Sequence, residues 1–254
     1  MLEAKLRTGC VGWSYEDWAG PFYPVGSEPK DWLQFYSRVF DTVEVDSTFY
    51  SLPTPYLVER WARVTPPGFL FCPKLPKAIT HDSKLEKVEP TLSRFYSLVK
   101  RLGDKLGPIV IQLPPSVKIH THGRLLEDLL ERLDPSLRHA VEFRHRSWFD
   151  TQTYTVLSRH RIAMVWSINM YVDSPPEITS DFVYLRFIGD RELTSFAKVQ
   201  KDRTKIIEEW AFNLKRMSDG FERGFAFSNN HFAGFAPETI NSFRAMLGLS
   251  RVRW

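Results

Sequence analysis

Six short apolar runs in this chain each end on a charged or amide side chain. Glu44 and Asp46 share one face of the run at 42–46, with Val43 and Val45 on the other. Glu142 and Arg144 repeat the pattern against Val141 and Phe143. Lys74 falls in register with Leu70 and Cys72, and Gln112 sits near the end of the run at 108–113. Arg186 opposes Val183, Leu185 and Phe187, and Asn230 opposes Phe225 and Phe227. Successive side chains of an extended segment point to opposite faces, so each polar residue stands opposite the bulkier apolar set, near the C-terminal end of its run. Placed carboxylates serve as acid or base, and guanidinium forks clamp phosphate or carboxylate. The set therefore reads as catalytic Glu44, Glu142 and Lys74, with Asp46, Gln112, Arg144, Arg186 and Asn230 contacting a ligand.

Aromatic and imidazole side chains surround these positions. Trp13 and Tyr15 lie in the segment 12–24 after the first apolar run, Tyr50 follows the second and Trp148 the fifth. Flat rings over a polar pocket stack on bases or sugars; the same rings can equally pack as a lid. His81 and His231 suit a general base, their ordinary pKa lying near 6.5, or a structural hydrogen bond, and Asn229 completes the set beside His231. No His-x-x-x-His or His-x-Glu cluster is present, and neither a metal nor another cofactor is expected.

A second reading stands beside the chemical one. Glu44, Asp46 and Glu142 carry three negative charges, and Lys74, Arg144 and Arg186 three positive ones, which balance as an internal ion-pair network. Buried ion pairs seldom stabilise a fold relative to apolar packing, and that favours function. Glu44 and Glu142 sit on strands two and five, nearly across a barrel from each other. The separation of about 5–5.5 Å that a retaining glycosidase needs is not expected of them.

The elements that must position these residues alternate between short apolar runs and amphipathic stretches, the pattern of a parallel sheet covered by helices. Strands are predicted at 8–13, 42–46, 69–75, 108–113, 139–143, 162–167, 182–187 and 224–230. Helices are predicted at about 29–40, 55–64, 90–102, 123–133, 151–160, 203–217 and 237–247. In the first, Trp32, Phe35, Tyr36 and Val39 share one face. The connection at 168–181 contains Ser174-Pro175-Pro176 and no helical period, so an irregular crossover is expected there. Eight strands in 254 residues match a single α/β domain of the (β/α)8 TIM-barrel class, which typically takes about 250 residues and builds its sites at the C-terminal ends of its strands. No linker or repeat divides residues 1–254.

Composition narrows the function classes. A hydrophobic share of 43% and a charged share of 25% are those of a soluble globule. No leader-like apolar core opens the chain and no run reaches the roughly 20 residues that span a bilayer, so no membrane partner and a cytoplasmic location are expected. Cys10 and Cys72 both fall in predicted strands as buried, reduced thiols. The 34 Lys and Arg against 30 Asp and Glu give a net charge of +4, which favours an anionic partner.

Several motifs resemble the YecE-like family, domain of unknown function 72. They are Gly12-Trp13-Ser14-Tyr15, residues 40–50 from Phe40-Asp41-Thr42 to Phe49-Tyr50, Pro66-Pro67-Gly68-Phe69, Lys74, Ile79-Thr80-His81, Leu106-Gly107-Pro108 and Gln112-Leu113-Pro114-Pro115. The resemblance continues through Glu142-Phe143-Arg144 with Ser147-Trp148-Phe149, Phe182 to Arg186, and Asn229-Asn230-His231 with Gly234. It implies a (β/α)8-type barrel and, through kinship with endonuclease-IV-like barrels, a nucleic-acid role. The sequence departs from that pattern at Asp46, where Asn is frequent, and at Ser167-Ile168-Asn169, where an Asp is common. It also lacks the rich His, Asp and Glu set of a multi-metal nuclease. Three functions stay open: an enzyme, with hydrolase or lyase chemistry by carboxylates, on a small anionic or sugar-like ligand; a nucleic-acid binder using Lys198, Lys201, Arg203 and Lys205; and a non-catalytic ligand-binding barrel. The oligomeric state is not legible.

Overall fold

The computed structural model describes residues 2–254. Its strands are β1 (Leu6–Cys10), β2 (Thr42–Val45), β3 (Leu70–Pro73), β4 (Ile109–Gln112), β5 (His139–Glu142), β6 (Ala163–Asn169), β7 (Phe182–Gly189) and β8 (Arg223–Ser228). The helices are α1 (Leu2–Lys5), α2 (Pro29–Val39), α3 (Ser47–Tyr50), α4 (Pro55–Val64), α5 (Glu89–Val99), α6 (Ile119–Arg132), α7 (Thr151–Arg159), α8 (Thr204–Arg216), α9 (Asn230–Ala233) and α10 (Ala236–Met246). Each predicted strand and helix has its counterpart, with ends shifted by a few residues. The short α1, α3 and α9 and a π-helical turn at Ala78–Asp82 have no counterpart in the sequence pattern, being too short to show a period.

Six strands pair in parallel as a curled half-barrel sheet, in the order β1-β8-β7-β6-β5-β4, and β2 pairs with β3 as a separate two-stranded unit. The closed eight-stranded barrel expected from the sequence is therefore corrected. Where the two units meet, isolated bridges replace a ladder: Val11 with Glu44 on one side, Phe71 with Leu106 and Lys74 with Val110 on the other. The strands at these junctions are four or five residues long, and Pro73, inside β3, has no N–H to donate. Gly9 allows β1 to approach β2 closely, since a Cβ there would lie 2.1 Å from the Thr42 carbonyl oxygen.

Parity sets what faces the concave side. Cys72, Val110, Ala140, Val165, Tyr184, Phe225 and Phe227 form one buried cluster there, and Glu44, Gln112, Glu142 and Arg186 continue the same faces toward the strand ends. The other faces pack under the helices in a larger core that includes Ile109, Ile111, Val141, Met164, Trp166, Val183 and Leu185. Cys10 and Cys72 are buried and unbridged, and burial pushes both thiols up, away from reactivity.

The connection from β6 to β7 contains no helix. Side chains fix it along β6 instead: Met164 N donates to Thr179 Oγ1 at 2.7 Å, Ser167 N to Ser174 Oγ at 2.6 Å, and Trp166 Nε1 to the Glu177 carbonyl at 2.7 Å. The hydroxyls satisfy backbone donors that would otherwise be orphaned, and the ordered crossover carries Tyr171 to the strand ends.

Candidate functional site

The deepest polar layer is a four-residue charge network. Arg186 of β7 donates from Nη2 to Glu44 Oε1 at 2.6 Å and from Nη1 to Glu142 Oε2. Tyr184 donates its hydroxyl to the second oxygen of Glu44 at 2.9 Å. Arg144, just past β5, donates from Nε to Glu142 Oε1 at 2.9 Å and from Nη2 to Gln112 Oε1 at 2.7 Å. Glu44 and Glu142 are 0% exposed and Arg186 2%. Side chains from strands β2 and β5 converge on the one guanidinium of Arg186. Each carboxylate accepts a hydrogen bond at both oxygens and neither lines the cavity, so neither has an open path to a reacting atom. Buried charges persist when paired and hydrogen-bonded in this way.

Above this layer opens a cavity of about 580 Å³ whose lining includes Lys74, Asp46, His81, Arg144 and Arg186. Lys74 Nζ lies 2.9 Å from Asp46 Oδ1 and 4.2 Å from the centroid of the Phe49 ring. Its side chain is 6% exposed against 32% for Asp46, so the pair spans the boundary between core and solvent. Burial, opposed by Asp46 and reinforced by Arg186, pulls the Lys74 ammonium down to about 8. Burial alone would raise the Asp46 carboxyl, but Lys74, Arg186 and Arg144 outweigh it and hold the group below its ordinary range. His81 stands edge-on to Phe49, with Nδ1 2.8 Å from Thr80 Oγ1 and Nε2 3.5 Å from Gln112 Nε2. Burial and the charges of Lys74 and Arg144 lower it to about 4, so it is neutral near pH 7 and acts as a hydrogen-bonding ring.

The opposite wall comes from the ends of β7 and β8. Asn229 caps α9, accepting from His231 N at 3.0 Å. Gly189, at φ +82°, lets β7 end against that helix, since a Cβ there would lie 2.3 Å from the His231 carbonyl oxygen. The placement of Asn230 on a strand face is corrected, because β8 stops at Ser228 and Asn230 opens α9. Phe225 and Phe227 face the concave side, so strand parity would pass to Asn229. Asn230 Oδ1 accepts from Trp18 Nε1 at 3.2 Å and from Ala236 N at 3.0 Å, tying three segments together, and the residue still lines the cavity. Five buried side-chain polar atoms lack a partner among the described residues, and three of them, Arg186 Nε, Asn230 Nδ2 and His231 Nδ1, belong to cavity-lining residues. Such groups are scarce in folded proteins.

The structure thus brings Lys74, Tyr15, Asp46, Tyr50, His81, Gln112, Arg144, Arg186, Asn229, Asn230 and His231 to one cavity. It leaves Glu44 and Glu142 below and places two expected ligand contacts elsewhere. Trp13 packs edge-on against Trp61 and Phe71 at 5.5 and 6.4 Å. Trp148 is buried, stacked on Phe143 at 4.9 Å, and donates Nε1 to the Val117 carbonyl at 2.8 Å. Both are apolar packing residues, and their assignment to a ligand is corrected. Tyr171, Arg191 and Phe196 line the cavity unanticipated; they sit in the long irregular segments around β7, where no period betrays them. Among the described residues no three His, Cys, Asp or Glu side chains gather to hold a metal ion. No helix of the described residues is long and apolar enough to cross a membrane.

Comparison with known proteins places this geometry in a family. The family model described as "Protein of unknown function DUF72" matches residues 7–253. The UPF0759 protein YecE of Escherichia coli K12 is 32% identical over 117 residues, 46% of this chain. The UPF0759 protein YunF of Bacillus subtilis 168 is 28% identical over 176 residues, 67% of this chain. The aligned stretches span 43% and 61% of those two relatives. A crystal structure of a DUF72 family protein from Thermotoga maritima superposes with a TM-score of 0.83 at 27% identity, covering 96% of this chain and 99% of that one. One from Enterococcus faecalis, 19% identical, shares the fold with a TM-score of 0.79, covering 97% and 98% of the two chains.

Proposed function

The chain belongs to the DUF72 family, and from that premise we propose that its strand-end cavity binds a small anionic ligand, a phosphate or carboxylate or a sugar-like molecule bearing one, and performs acid–base chemistry on it through Lys74 and Asp46. The observation carrying this reading is the division of charge by depth. Lys74, Arg144, Arg186 and Arg191 line the cavity, and Asp46 is the one carboxylate among the lining residues. The carboxylates of Glu44 and Glu142 neutralise Arg186 and Arg144 from beneath. An anion therefore meets two guanidiniums, Arg144 and Arg186, whose own counter-ions do not compete for the same space. Asp46, held ionised, is the proton acceptor; Lys74 exchanges a proton near neutral pH, where acid–base groups work best. The same reading takes the chain as one barrel-like domain in which the β2–β3 unit supplies the wall facing β7.

Inorganic phosphate tests the proposal, because a ligand bound only by the folded state stabilises it by about 2.7 kcal/mol at a hundred times its Kd. Thermal unfolding of the wild-type chain is expected to shift upward with phosphate, and the shift to weaken at least tenfold in apparent affinity in Arg144→Gln and Lys74→Met. Equal phosphate binding in all three proteins would sink the reading.

A nucleic-acid ligand keeps one observation in its favour: Tyr50 and Tyr171, 61% and 49% exposed, stand at the rim where bases could stack. The proposed basic stretch supports it less. Lys201 is spent on Asp190 and Glu192 at 2.6 and 2.7 Å, and Arg203 on Asp190 at 3.1 Å. Oligonucleotide binding that falls steeply with salt, together with no response to phosphate, would replace the small-ligand reading with this one.

A further inference from the structure

We propose that Lys74 is an amine nucleophile that forms a Schiff base with an aldehyde or ketone whose anionic substituent rests on Arg144 and Arg186. The inference deepens the anion-binding reading and depends on it. Geometry sets Lys74 apart from the other engaged lysines. Lys105 spends its ammonium on the Ala62 and Thr65 carbonyls and Thr65 Oγ1. Lys5 donates to two carbonyls, while Lys100 and Lys201 pair with carboxylates on the outer surface. Lys74 instead has a buried stem, one carboxylate partner and a head lining a cavity large enough for a small carbonyl compound.

Its backbone is fixed on both sides by one hydroxyl. Lys74 N donates to Thr48 Oγ1 at 3.0 Å, and Thr48 Oγ1 donates to the Lys74 carbonyl at 2.7 Å. The groups surrounding the amine are Asp46 and Glu44 from β2 and its end, Arg186 from β7, Arg144 from beyond β5 and His81 from the π-helical turn. Burial disfavours the ammonium form most, and Arg186 adds to it, while Asp46 and Glu44 oppose them. A desolvated lysine beside other cations is a recognised route to an amine nucleophile.

The step balances without an oxidant or a reductant. The ammonium gives one proton to Asp46, and the nitrogen lone pair attacks the carbonyl carbon. A C–N bond forms while the C=O π pair moves to oxygen, which takes up the proton that the attacking nitrogen loses and leaves a carbinolamine, Asp46 still holding the first proton. Protonation of that hydroxyl by Asp46 releases water as the nitrogen lone pair closes the C=N bond. The net change is carbonyl plus ammonium to protonated imine plus water. Asp46, within hydrogen-bond reach of the amine, is the proton relay.

Glycolaldehyde phosphate and glycolaldehyde, each with cyanoborohydride, test the proposal. The full-length protein is reduced, digested and mapped by mass. Glycolaldehyde phosphate is expected to label Lys74 at least tenfold faster than any other lysine, with inorganic phosphate competing and glycolaldehyde alone losing most of the preference. Arg144→Gln should abolish the advantage of the phosphate-bearing aldehyde. Label spread evenly over the lysines, with phosphate still stabilising the fold, overturns the Schiff-base proposal and leaves the anion site standing. Selective Lys74 labelling that is equal for both aldehydes and indifferent to phosphate supports the nucleophile and overturns the anion-binding reading.

Discussion

Two clusters of paired acidic and basic side chains, one beneath the cavity and one lining it, behave as opposites. In the lower one, Glu44, Glu142, Arg186 and Arg144 meet each other's hydrogen-bonding demands almost completely, with 0% exposure at both carboxylates. In the upper one, Lys74 has a single 2.9 Å contact to a carboxylate that is 32% exposed. The two carboxylates of the lower cluster are structure; its guanidiniums also line the cavity, where they and the upper cluster are left to meet a ligand. Burial costs every charged group, and what differs is whether protein partners repay it.

The comparison can be broken by removing one member of each cluster. Arg186→Met leaves two carboxylates buried without their shared cation and should destabilise the fold by about 3–5 kcal/mol, the range for stranding a buried charge; urea unfolding at pH 7 measures it. Lys74→Met removes a charge whose burial is poorly repaid, and the remaining Asp46 can be hydrated, so its cost should stay below about 1 kcal/mol in the same assay. A loss as large as that of Arg186→Met would erase the distinction.

Alkali sharpens the distinction. The Lys74 ammonium titrates near 8 in the folded chain and near 10.5 when unfolded. Between those values the unfolded chain holds a proton that the folded one has released. Stability linked to Lys74 therefore rises with pH across that window, toward a slope of about 1.4 kcal/mol per pH unit. Wild-type minus Lys74→Met stability should climb from pH 8 to pH 10; a flat or falling difference contradicts an imperfectly solvated ammonium. The smallest effect is expected at the rim. Tyr50→Ala, at a residue 61% exposed, should change stability by less than about 0.5 kcal/mol, while weakening any ligand that stacks there.

Much of this was legible beforehand, for identifiable reasons. Short β-branched and aromatic runs marked all eight strands, and the two-residue period placed Glu44, Lys74, Gln112, Glu142 and Arg186 on one side. Parity gives a face but not a depth, so it ranked Glu44 and Glu142 with Lys74 although one lies at the mouth and two beneath it. At Asn230 parity failed because the strand ends at Ser228 and the chain turns into α9. Trp13 and Trp148 follow strands, as lid residues would, yet large rings beside a core fall into it. Closure of the sheet was beyond reach, since it depends on ladders at both the β1–β2 and β3–β4 junctions, where single bridges form instead and Pro73 removes one donor from β3. Tyr171, Arg191 and Phe196 arrive on aperiodic segments whose path is fixed by scattered contacts, such as Phe196 N donating to Asp17 Oδ2 at 2.6 Å.

The protonation of Lys74 bears most directly on the central claim that the upper cluster is poised for chemistry. Carbon-13 NMR of the lysine Cε positions from pH 6 to 11, assigned by the loss of one resonance in Lys74→Met, would follow it. A midpoint near 8 for Lys74, with solvent-exposed lysines near their ordinary value of about 10.4, is the expected result. A Lys74 midpoint at or above that of the surface lysines would make it a stably paired ammonium, one more member of the structural network below.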